Sequence, residues 1–206
     1  NDWFWWGDGE PFHFNIKKRS EVHRSLKPED DRPAGTIRNV KISHVIARGM
    51  GASVCEGHPD SPLDGIAMED VRLAIGHDPA APYDKAVNAL TFRRARKVAL
   101  RGVEVVWDGP PFEKWRSALL LDDVEGTDLV GLVCRRAPGT DAPAILLQNV
   151  RDGWIRDCRP ADGTGPFIGV SGPKSRDLLF SNNDTRKAKI LFAMAPDVPS
   201  GAVTIK

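Results

Sequence analysis

Between Ile37 and Val45 the chain reads apolar, two polar, apolar, polar, apolar, two polar, apolar. The same pattern returns over 63–71, 95–103 and 124–132, and in weaker form over 150–158 and 175–183. The central apolar residues are Ile42, Met68, Leu100, Leu129, Ile155 and Phe180, spaced by 26, 32, 29, 26 and 25 residues. A recurrence of that length marks a stacked repeat architecture. Helical repeats would need two amphipathic helices in every period. These segments instead alternate by two, favour Val and Ile, and are cut by Gly, Asp and Pro, so strands are expected.

A second short apolar run follows in most periods, at 53–55, 89–92, 118–121, 144–147, 167–170 and 190–192. Two strands per period, joined by bends, describe one coil of a right-handed parallel β-helix, an all-β solenoid of about six to seven coils wound from a single chain. Each coil buries its inward side chains against the coils on either side. Two columns are therefore expected. One is Ile42/Met68/Leu100/Leu129/Ile155/Phe180, and the other is Val45/Val71/Val103/Leu132/Cys158. At about 4.8 Å per coil the rod would be roughly 30–35 Å long. The Pro- and Gly-containing stretches 76–88 and 107–117 read as loops inserted in the longer periods. The charged stretch 19–34, with Pro28 and Pro33, reads as a solvated loop. The whole chain is expected to be one domain, with an opening hairpin and loop over 1–34 and coils over 35–206.

Composition narrows the class without naming a function. Of 206 residues, 41% are hydrophobic and 28% charged, which suits a packed fold. Lys and Arg total 29 against 28 Asp and Glu, a net charge of +1, so no global field points to nucleic acid or to a membrane surface. No apolar run is long enough for a membrane-spanning helix. Cys55, Cys134 and Cys158 are odd in number and widely spaced, which fits neither a disulfide framework nor a metal site; they read as small buried hydrophobes. No cofactor or metal is expected. The triplet Asn183-Asp184-Thr185 reads as a chance glycosylation pattern. The opening Asn1–Trp6 carries no charged or apolar leader. A removed leader or a start partway through a longer protein is expected.

The densest candidate chemistry lies at residues 3–19. Trp5 and Trp6 either stack on sugar rings or cover the open end of the solenoid. Asp8 and Glu10, two apart on an extended chain, would sit about 6–7 Å from each other. That is the lower edge of the spacing for an inverting carboxylate pair. Asp8 also suits a Gly-Asp-Gly turn. His13 lies between Phe12 and Phe14 and points away from their side. Lys17, Lys18 and Arg19 have the chemistry to hold carboxylates of a polyuronate. Elsewhere, Asp122-Asp123 ends a strand, so at most one of the two faces any cleft. His44, His58 and Asp60 read as surface or turn residues. The run Arg93-Arg94-Ala95-Arg96-Lys97 reads as a solvated bend.

Trp5-Trp6-Gly7-Asp8-Gly9-Glu10-Pro11-Phe12-His13-Phe14, then Gly35-Thr36-Ile37-Arg38-Asn39-Val40, then Gly57-His58-Pro59-Asp60-Ser61-Pro62 together resemble the later coils of polygalacturonase-like proteins. These are glycoside hydrolase family 28 of the pectin-lyase-like superfamily. The stretch from Phe167 to Ala202 resembles the end of bacterial members. The resemblance implies a right-handed parallel β-helix and inverting hydrolysis of pectic or related plant polysaccharide without a cofactor. It also implies a secreted or periplasmic location. The family's aspartate motifs, its Gly-His-Gly and its Arg-Ile-Lys do not occur here in family order. The resemblance therefore implies the C-terminal part of a longer enzyme. If this chain is itself catalytic, Asp8 and Glu10 are the expected acid and base, with Trp5, Trp6, His13, Lys17 and Arg19 as substrate contacts. The alternative is a non-catalytic β-helix module that binds carbohydrate or associates through its exposed ends. A segment of a phage or surface adhesin is a third option.

Overall fold

The computed structural model describes residues 10–22, 25, 27, 32–49, 53–76, 87–109 and 111–206. In chain order the elements are β1 (His13–Asn15), α1 (Arg19–Val22), β2 (Arg38–Gly49), β3 (Ser53–Glu56), β4 (Leu63–Gly76), β5 (Leu90–Asp108) and β6 (Leu119–Val130). Then come β7 (Val133–Cys134), β8 (Ile145–Gln148), β9 (Arg151–Arg156), β10 (Arg159–Pro160), β11 (Thr164–Ser171), β12 (Arg176–Ser181), β13 (Ala188–Met194) and β14 (Val203–Ile205). The fold is all-β apart from the single turn of α1, and the strands wind into a solenoid of about 6 turns.

One ladder runs β2-β4-β5-β6-β9-β12-β14, and a second runs β1-β3-β5-β6-β8-β11-β13. Among the described residues every pairing between these strands is parallel. Strands β5 and β6 are long and bent, so each contributes to both ladders. The expected first column is realised in full: Ile42, Met68, Leu100, Leu129, Ile155 and Phe180 are successive register partners. Ile205 extends it by one rung. In the second column, Val45 pairs with Val71 and Val71 with Val103, while Leu132 and Cys158 are buried. The other ladder builds an inner column of its own, from Phe14 through Cys55, Phe92, Leu121, Leu147 and Val170 to Met194. Each buried Leu, Ile or Phe in these columns contributes about 1.5–3 kcal/mol by leaving water.

The polar doublets in the sequence pattern are the corners of the coil. Asn39, Gly65, Lys97, Gly126, Asp152 and Asp177 all have positive φ and occupy equivalent places on successive coils. Five residues later in each coil comes a second set with positive φ: His44, Asp70, Gly102, Gly131, Asp157 and Asn182. A third corner is turned by Arg94, Asp123, Asn149 and Gly172. Asn, Asp and Gly dominate because they tolerate the left-handed region best. The left-handed residue interrupts strict alternation. The apolar residues on both sides of the bend can then point inward.

The structure corrects several local expectations. Strand β4 continues through Gly76, and β5 continues through Trp107 and Asp108, so both inserted loops start later than their Gly and Pro content suggests. Residues 77–86 lie outside the described residues. After β5 the chain folds back over the core: Trp115 is 1% exposed and packs on Trp107 with ring centroids 5.0 Å apart. The Trp107 indole N–H donates to the Arg135 carbonyl at 2.9 Å. Within the charged stretch, Arg19–Val22 forms the short helix α1. Of the expected opening hairpin, residues 1–9 lie outside the described residues, and β1 pairs in parallel with β3. His44 is exposed within β2, as expected of a surface residue, at a bend of positive φ with its Nδ1 2.9 Å from Asp70 Oδ2.

Candidate functional site

The N-terminal candidates are only partly brought together. Trp5, Trp6 and Asp8 lie outside the described residues. Glu10 and His13 meet, with Oε2 2.6 Å from Nδ1. His13 faces outward on β1, as its place between Phe12 and Phe14 predicts, since both phenylalanines pack on the core. Lys17 and Arg19 are exposed. Neither makes an ion pair with the other candidates among the described residues. The neighbouring chemistry is denser. His58 is 7% exposed and its Nε2 lies 3.0 Å from Glu21 Oε1, while its Nδ1 accepts the Asp60 amide N–H at 3.1 Å. Lys18 pairs with Asp60 at 2.7 Å. Backbone hydrogen bonding at Lys18, with the His58 bond, lowers the Glu21 carboxyl, and Lys18 lowers that of Asp60. This network clips α1 to the turn after β3.

A second region forms where β5, β6 and β9 turn the corner between the two ladders. A depression of about 170 Å³ is lined by Pro59, Pro62, Arg94, Ala95, Arg96, Asp123 and Arg151. Arg94 pairs with Glu56 and donates from Nε to the Gly57 carbonyl at 2.7 Å. Gly57 is required there, because a Cβ would stand 2.2 Å from the Arg94 carbonyl oxygen. Arg151 reaches Asp123 at 3.6 Å and Glu125 at 3.5 Å. Arg96 is exposed and makes no ion pair among the described residues. The basic run 93–97 is thus largely matched by carboxylates on adjacent rungs.

Asp122 stands beside this depression. Its carboxyl is pushed up by burial first, and further by the neighbouring Asp123 and Glu56 carboxylates, against the opposing pull of Arg93 and Arg94. The two aspartates have separate places, as a strand end requires: Asp123 lines the depression and Asp122 is tucked toward Arg93, 3.6 Å away. Desolvation and neighbouring charge shift carboxyls both at proton-transfer sites and in structural ion-pair networks.

Past the corner, a shallow trough of about 330 Å³ continues along the outer face of the first ladder. It is lined by Lys97, Val98, Ala99, Gly126, Thr127, Asp128, Asp152 and Trp154. Trp154 is 46% exposed. Its indole N–H donates to Ser181 Oγ at 3.0 Å, and the Arg156 guanidinium lies 4.3 Å from its ring centroid. Asp128 is held by Arg101 at 2.6 Å and by Arg156 at 3.6 Å. Trp154 was legible in the sequence: once Ile155 is placed inward by its column, Trp154 must point outward. The raised Asp122 was not legible, because its environment comes from Glu56 and Arg93 on other coils.

Among the described residues no group of three or more His, Cys, Asp or Glu side chains could hold a metal ion. The three cysteines are free and buried. Burial pushes Cys55 up to about 12 and Cys158 up to about 11, and raises Cys134 as well. Asn183 uses its side chain inside the solenoid, accepting from the Cys158 N–H at 2.9 Å and donating to the Ile155 carbonyl at 3.0 Å. No helix among the described residues is long and apolar enough to cross a membrane.

No family model matches the chain, and no curated protein matches it. Among solved structures it is similar to a candidate glycosyl hydrolase from Parabacteroides merdae. The two share 12% identity at a TM-score of 0.44, over 79% of this chain and 85% of that one.

Proposed function

We propose that the chain is a glycoside hydrolase of the polygalacturonase type, acting on a pectic or related acidic polysaccharide by inversion. The observation that supports this reading is the raised, half-buried Asp122 carboxyl beside a cleft rich in arginine. Arginine suits the carboxylates of a polyuronate, and Arg96 makes no ion pair of its own among the described residues. In this reading Asp122 gives its proton to the glycosidic oxygen as the bond to the anomeric carbon breaks. The water whose oxygen attacks that carbon from the opposite face gives its proton to a carboxylate on another rung, because Asp123 does not share a cleft with Asp122. Glu10, hydrogen-bonded to His13, is the competing acid with Asp8 as its partner, and Trp5, Trp6, Lys17 and Arg19 are their substrate contacts.

Reducing-sugar release from polygalacturonate and from rhamnogalacturonan by the purified chain tests the proposal. Release is expected, with loss of at least about a hundredfold in Asp122→Asn, the ordinary scale for removing a general acid. Retained release in Asp122→Asn with loss in Glu10→Gln would move the acid to the N-terminal rung. Absence of release from either polymer would overturn the enzymatic reading.

A second reading, association of copies end to end, is favoured by the last rung. Ile190, Met194 and Ile205 are 52%, 62% and 62% exposed there, and β13 and β14 have one unpaired edge among the described residues. Such edges invite further strands. Sedimentation of the purified chain decides it: dimers or larger species support the reading, and a monomer at about 100 μM rejects it.

A further inference from the structure

The outer face of the first ladder carries a column that packing does not explain. In register order it runs Lys41, Ala67, Ala99, Asp128, Trp154 and Leu179. Two alanines leave the floor open, and the next rungs present a carboxylate and then an indole. Trp154 is held in place by the Ser181 hydroxyl and by Arg156. Its ring is therefore oriented in advance, which lowers the entropy lost when something settles on it. Asp128 is fixed by Arg101 through Oδ2. Its Oδ1 is closed off from solvent and lies 3.6 Å from Arg156 Nη2, while the side chain as a whole stays partly exposed and lines the trough.

The chemistry of the trough selects its occupant. A wholly apolar ligand would take water from the exposed parts of Lys97, Asp128 and Asp152 without replacing its hydrogen bonds. An anion would meet Asp128 and Asp152, and a cation would meet Lys97, Arg101 and Arg156. A neutral polyol with one apolar face avoids all three penalties. Its C–H face can lie on the indole while a hydroxyl one rung away donates to the carboxylate, about 4.8 Å along the ladder. The trough, about 330 Å³, falls at the small end of ligand sites.

We propose that the Trp154 trough is a binding subsite for a neutral pyranose ring, with Trp154 as its stacking platform and the exposed side of the Asp128 carboxylate as its hydroxyl acceptor. The proposal rests on the carbohydrate part of the function above and not on hydrolysis. The trough adjoins the arginine-lined corner, because Arg96 is followed by Lys97 and Arg151 by Asp152. The matching polymer therefore places neutral sugars next to acidic ones.

The test is titration of the full chain with galactotriose, cellotriose and trigalacturonic acid. It is followed by calorimetry and by the Trp154 indole N–H resonance, assigned through its loss in Trp154→Ala. At least one neutral trisaccharide is expected to move that resonance saturably. Affinity should fall about tenfold in Trp154→Ala and in Asp128→Ala, and less in Trp154→Phe, which keeps a ring. Trp154→Phe also keeps the test decisive if the alanine variant folds poorly. The same titration in Asp122→Asn is expected to be unchanged, so saturable binding by a natural chain that releases no sugar from either polymer overturns the catalytic reading alone. Binding that Trp154→Ala leaves intact, binding of trigalacturonic acid alone, or no movement with any probe would overturn the subsite.

Discussion

Asp122 and Arg93 stand opposite each other on adjacent rungs of the second ladder, Oδ2 3.6 Å from Nε, and yet the Asp122 carboxyl is raised. Burial outweighs the ion pair, and the nearby carboxylates of Asp123 and Glu56 add to it.

That imbalance fixes the sign of a stability effect. A carboxyl raised in the folded state binds its proton more tightly there than in the unfolded chain. Stability from Asp122 is therefore present at low pH. It is lost as pH rises from the unfolded value of about 3.9 through the folded one. Asp122→Asn removes the ionisable group. Its thermal midpoint is expected to equal or exceed that of the natural chain at pH 7 and to lose that advantage near pH 3. A midpoint several degrees lower at pH 7 would show that the Arg93 pair dominates instead.

Leu100 is fully buried between Met68 and Leu129 in the first column. Leu100→Ala opens a cavity that two rigid rungs cannot close. Urea unfolding is expected to show a loss of about 2–5 kcal/mol. A loss below about 1 kcal/mol would mean that the coils slide together and that the stacking is loose.

Gly102 turns its corner at φ 59°, and an added Cβ would find nothing nearer than the Asp70 amide nitrogen at 3.9 Å. Space is therefore available, and only the backbone conformation objects. Gly102→Ala is expected to cost about 1–2 kcal/mol, and Gly102→Asn less. Equal stability of all three in denaturant melts would contradict the left-handed corner.

The cysteines report on global opening. Cys55, Cys134 and Cys158 are buried, with thiols raised by that burial. Iodoacetamide at pH 8 is expected to leave all three unmodified in the native chain and to alkylate them once denaturant unfolds it. Fast labelling of Cys55 alone would show that the rung formed by β1 and β3 opens by itself.

Alternation of apolar and polar residues named the inward columns in advance, from Ile42 to Phe180, because each contact joins equivalent places in neighbouring repeats. Each segment such as 37–45 reads in sequence as strand, and the bends at its polar doublets, with the second residue of each at positive φ, came from the structure. Trp154 followed from its neighbour Ile155. The burial of Trp115 did not follow, since turn-forming residues such as Gly109 and Pro111 also occur in a segment that packs over a core.

The sequence by itself determined the parallel stacking, since inward positions repeat with a period that only neighbouring coils can satisfy. The outer face was decided by tertiary structure alone. No packing rule constrains an exposed column, so local pattern says nothing of which charges meet there. Asp122 has Arg93 beside it, and Asp128 lies one rung from Trp154, because residues 29 and 26 apart in sequence come to lie about 4.8 Å apart in space, while Glu56, 66 residues before Asp122, stands only two rungs away. Ionisation and ligand fit depend on those through-space neighbours, and they exist only once the solenoid is wound.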